Sequence, residues 1–75
     1  MGEKITFSAI IWNEGKLQIA WSPELDIASQ GGSVEDARAN LVEAIELFLE
    51  TADPAEIAAR LHDEVFVTRV EVAVG

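Results

Sequence analysis

The sequence predicts an α+β domain of two layers: one main helix packed on a face of a mainly antiparallel sheet. Three observations carry that prediction. Apolar residues alternate with period two near both ends of the chain, over residues 3–12 and 64–74. Between them, from Val34 to Glu50, they recur at helical spacing. A Gly31-Gly32 pair separates the first strand-like region from the helical one.

The elements follow in chain order. The first strand covers residues 3–12, with Ile5, Phe7, Ala9 and Ile11 on one face and Lys4, Thr6, Ser8 and Ile10 on the other. Ile10 and Trp12 make that second face partly apolar, which points to a further contact surface. Asn13-Glu14-Gly15-Lys16 is a hairpin turn in which Gly15 is free to take positive φ. The return strand spans residues 17–22, with Leu17, Ile19 and Trp21 on one face and Gln18, Ala20 and Ser22 on the other. Pro23 lacks a backbone donor and ends that strand or displaces it to an edge. A short third strand is expected from Leu25 to Ser29. Ser33 is the N-cap of the main helix, with Asp36 as its capping-box partner. That helix runs from Val34 to about Glu50, with Val34, Ala37, Leu41, Ala44, Ile45 and Phe48 as its apolar face. Asp53-Pro54-Ala55-Glu56 starts a short second helix reaching about Leu61. A final strand from Glu64 to Val74 places Phe66, Thr68, Val70, Val72 and Val74 on one face. Val65, Val67, Arg69, Glu71 and Ala73 lie on the other. The predicted order is β-β-β-α-(α)-β.

Composition narrows the function classes. Seventy-five residues form one domain, residues 1–75, with one core. There are 14 acidic and 5 basic residues, a net charge of −9, yet 49% of the chain is hydrophobic, which separates it from a disordered acidic tail. Such a chain is a poor direct ligand for nucleic acid or an anionic membrane, both of which are held by Lys and Arg. No apolar run approaches the roughly 20 residues of a membrane-spanning helix. The start, Met1-Gly2-Glu3-Lys4, lacks the apolar core of a signal peptide. There is no cysteine for a disulfide, a thiolate metal site or a nucleophile. A cytoplasmic protein is therefore expected. A domain of this size buries only about 60% of its unfolded surface. A homo-oligomer is the expected remedy, with Ile10, Trp12, Val70, Val72 and Val74 as the self-association surface.

Enzyme constellations are sparse, and no catalytic residue, metal site or cofactor is expected. His62 is the sole histidine, placed near the end of the second helix where a cation suits the helix dipole. No local signature joins it to Ser8, Ser22, Ser29 or Ser33. Glu24 and Asp26 share a face of the third strand and could chelate a divalent cation with a helical glutamate, but alternation turns that face to solvent. Gly31-Gly32 precedes a helix N-terminus, where Glu35 and Asp36 already occupy the positive end. The strongest charge feature runs from Glu35 to Glu64, with nine acidic residues against Arg38 and Arg60. Such a run is either a solvated helix face or a docking surface for a basic protein.

The order of short motifs resembles the N-terminal domain of HicB-type antitoxins and their stand-alone HicB-like relatives. The residues that carry it are Ile19-Ala20-Trp21-Ser22-Pro23-Glu24-Leu25-Asp26, then Ser29-Gln30-Gly31-Gly32-Ser33, Glu35-Asp36-Ala37, Asn40-Leu41 and Glu43-Ala44-Ile45-Glu46. The resemblance covers residues 3–50 well and the last strand loosely. It implies a partial RNase H-like fold and a non-enzymatic function: binding and neutralising a small basic HicA-like toxin that cleaves RNA, by covering its RNA-binding surface. Two departures matter. The family often shows a Gly-Cys pair where this chain has Asp26-Ile27-Ala28. The sequence ends at Gly75, and on this reading the DNA-binding module that full-length members carry is not expected. On this reading Asp36, Glu43, Glu46 and Glu50 contact the toxin. The alternatives are an orphan self-associating interaction domain without a toxin, and a divalent-metal nuclease built on Glu24 and Asp26.

Overall fold

A computed structural model of the chain describes residues 5–61 and 66–75. It contains β1 (Ile10–Glu14), β2 (Leu17–Ser22), β3 (Ile27–Gly31), α1 (Val34–Thr51) and α2 (Pro54–Arg60). The strands form one antiparallel sheet in the order β1-β2-β3, and α1 packs on one face of it. This is the α+β, two-layer arrangement that the sequence predicts.

The β1–β2 hairpin turns at Gly15, whose φ of +62° suits a residue without Cβ. Its register pairs Ile10 with Trp21 and Trp12 with Ile19. β1 begins at Ile10 rather than near residue 3. The same register would set Ser8 opposite Pro23, which has no N–H for a ladder. The Ser8 N–H instead donates to both carboxylate oxygens of Glu24, at 2.9 Å each.

Pro23 to Asp26 form a turn, closed by the Asp26 N–H donating to the Ser22 carbonyl at 2.8 Å. Asp26 takes a left-handed φ of +55°, a conformation that Asp tolerates better than most residues. The third strand accordingly runs from Ile27 to Gly31 instead of Leu25 to Ser29. The turn drives Leu25 into the core, where it is fully buried.

The helix-facing side of the sheet carries small residues at its centre. Ala20 and Ser22 are fully buried beneath α1, and with Leu25, Ala37, Leu41 and Ile45 they form the interior. Phe7, Ile11, Ile27, Phe48 and Leu49 rim it. Gly31 allows the first turn of α1 to close on β3. A Cβ there would lie 2.5 Å from the Ala37 nitrogen and 2.7 Å from the Asp36 carbonyl carbon. The Ser33 hydroxyl caps α1 by accepting from the Asp36 N–H at 3.0 Å. Asn40 ties α1 to β3 by donating to the Gln30 carbonyl at 2.8 Å. α2 is anchored by Arg60. Its guanidinium donates to the Leu25 carbonyl at 2.6 Å and lies 4.9 Å from the centre of the Phe48 ring.

The expected last strand is not part of this sheet. Glu64 and Val65, like His62, lie outside the described residues. Phe66 to Val74 belong to no ladder and are exposed. Alternation supplies the side chains of a strand, but a strand exists only as half of a hydrogen-bonded pair.

Candidate functional site

Asp36, Glu43, Glu46 and Glu50 are all exposed on α1. At 3.6 residues per turn they fall within an arc of about 80°, opposite the stripe of Ala37, Leu41 and Ile45 that faces the sheet. Glu43 and Glu46, and Glu46 and Glu50, are neighbours at i,i+3 and i,i+4, where like charges repel. Among the described residues the single ion pair is Arg60–Glu56 at 3.3 Å, so none of these four carboxylates is in an ion pair. Leu47, 61% exposed, sits between Glu43 and Glu50 and gives the acidic face an apolar contact point. Periodicity does not single out Leu47, because it lies off the core stripe of Ala37, Leu41 and Ile45 and among acidic side chains.

The expected self-association residues fall in two separate places. Ile10 is half-buried and Trp12 is 40% exposed on the sheet face turned away from α1, beside Ile19 and Trp21. The indole of Trp21 donates to Asp26 at 2.9 Å and that of Trp12 to Glu14 at 3.4 Å. Val70, Val72 and Val74 are 80%, 77% and 97% exposed and belong to no strand of the sheet.

The carboxylates considered for a metal centre have other partners. Glu24 and Asp26 lie in the turn before β3, not side by side on a strand, and Glu24 is half-buried rather than facing solvent. Besides the two bonds from Ser8, Glu24 accepts from the Ser22 hydroxyl at 3.1 Å. Burial pushes its pKa up. The bonds from Ser8 and Ser22 stabilise the anion more, and hold it below its ordinary value of 4.5. Both groups brace the turn: Glu24 holds the segment before β1, and Asp26 holds the Trp21 indole. Among the described residues no three Asp, Glu or His side chains converge as metal ligands. Gly31 is accounted for by its contact with α1, and the start of that helix is filled by the Ser33 cap.

A groove of about 670 Å³ opens between residues 5–9 and one flank of α1. Ile5, Phe7, Leu41, Val42, Ile45 and Leu49 line it, with Arg38 and Glu46 among its polar residues. Sequence periodicity could not show it, because it exists only where β1 starts late and α1 leans toward β3. None of the described helices is long and apolar enough to cross a membrane. No family model, no curated protein and no solved structure matches the chain.

Proposed function

We propose that this chain is a non-enzymatic, HicB-like antitoxin module of the cytoplasm. In this reading the acidic face of α1 docks on a small basic toxin that cleaves RNA, and occludes the surface that the RNA needs. The observation that carries the reading is the exposed quartet of Asp36, Glu43, Glu46 and Glu50, none of them in an ion pair among the described residues. Like charges crowded on one helix face cost the free domain stability, and a basic partner relieves that cost on docking. A toxin that binds RNA presents the complementary surface, since it neutralises phosphates with Lys and Arg. Leu47 supplies an apolar contact within the charged face. The motif order from Ile19 to Glu46 supports the family reading.

The test is co-purification with a short basic protein encoded beside this chain, about 60–80 residues long, the size of one small domain. A complex at low salt that suppresses RNA cleavage by the partner is the expected result. A neighbour that cleaves RNA but forms no complex at low salt overturns the reading.

A further inference from the structure

We propose that residues 66–74 of one copy form a strand along the β1 side of a second copy, each filling the other's groove, to give a two-fold dimer. The inference does not rest on the toxin reading.

Three features meet in it. The first is an arm without a body. Phe66, Val70, Val72 and Val74 alternate along a single face and are 77–97% exposed, a contiguous apolar surface that a stable monomer rarely leaves in water. The radius of gyration, 14.5 Å, exceeds the roughly 11 Å expected for a compact chain of this length. The second is a body without an arm. β1 is an edge of the sheet, residues 5–9 that lead into it belong to no ladder, and the groove beside them is lined by Phe7, Leu41, Val42 and Leu49. An added strand would pair with the free edge and set its valine face over the α1 flank.

The third feature is charge. Two whole chains at −9 each repel one another. The formal charges of Arg69 and Glu71 in the arm sum to zero, and so do those of Arg38 and Glu46 on the groove lining, with no ion pair between the latter two. Arm and groove are thus charge-balanced parts of an acidic molecule, and an arm in the groove meets the acidic face only at its edge, at Glu46. A reciprocal exchange is isologous, the commonest symmetry of homo-oligomers. A stable interface buries about 1,200–2,000 Å² in total, and a reciprocal exchange counts the contact of arm and groove twice toward that range.

Sedimentation velocity of the full chain tests this, with Val70→Asp/Val72→Asp as one variant and Val42→Asp in the groove as another. Wild type is expected to sediment at twice the 8.1 kDa chain mass at tens of micromolar. Both variants are expected to be monomeric with unchanged far-ultraviolet circular dichroism. The arm packs on no core residue of its own chain, so the double variant retains the fold. A wild type that stays monomeric overturns the proposal. So does a dimer that survives both variants, which would place association on the Ile10 and Trp12 face.

Discussion

On the β3 side of the molecule, Gly31 lets α1 close on the sheet, Asn40 bonds Gln30, and Ala37 is fully buried. On the β1 side, Phe7 and Ile11 only rim the core, Ile5 is 60% exposed, and a groove separates residues 5–9 from the same helix. One helix therefore has a sealed flank and an open one. The sealed flank is built from small residues, which let backbones approach and leave no room for a ligand. The open flank is built from larger aliphatic residues with no element of the described residues set over them. The stability of the fold is expected to reside in the first, and its capacity for partners in the second and in the acidic face opposite the core.

The sharpest way to break that contrast is substitution on either side of it. Leu41→Ala removes a side chain that is 2% exposed and shared by core and groove. It should cost about 2–5 kcal/mol in denaturant titrations, enough to unfold a domain this small. Gly31→Ala forces a methyl group against the α1 backbone and should cost about 1–3 kcal/mol. Glu24→Gln weakens the brace between the segment before β1 and the turn. It should cost about 1 kcal/mol at neutral pH.

That last effect carries a pH signature. The folded chain holds the pKa of Glu24 below its ordinary 4.5, so the unfolded chain binds the proton more readily. The stabilisation by Glu24 is present above that value and fades as pH falls through it. The gap in melting temperature between wild type and Glu24→Gln should therefore narrow on acidification. A gap that widens would show that the carboxylate is not stabilised as an anion. At the small end, Val74→Ser alters a side chain 97% exposed and should move the stability of the isolated monomer by less than about 0.5 kcal/mol.

Local chemistry made most of the packed half readable in advance. Gly15 placed the hairpin, Ser33 and Asp36 placed the start of α1, and the spacing of Ala37, Leu41 and Ile45 gave its buried stripe. The return strand and both helices lie within a residue of expectation at each end. The departures have one origin in Pro23. It stops β1 pairing at Ile10, sends Leu25 into the core from a turn, and shifts β3 two residues along. Its consequences depend on what lies across the sheet, which periodicity within one strand does not encode. The acidic quartet was legible because helical spacing alone sets its arc. Glu24 was misread, because its partners Ser8 and Ser22 are brought to it by tertiary structure. The last strand is not found in the sheet for a related reason: its alternation is real, but among the described residues no strand pairs with it.

The most direct measurement is the association rate of the neighbouring basic protein with two forms of this chain, across a range of ionic strength. One form is wild type, and the other carries Asp36→Lys, Glu43→Lys, Glu46→Lys and Glu50→Lys. Steering by the acidic face predicts a fast wild-type rate that falls steeply with salt, and a variant slower by at least about tenfold at low salt with little or reversed salt dependence. Equal rates and equal salt slopes for the two forms would contradict a docking role for α1.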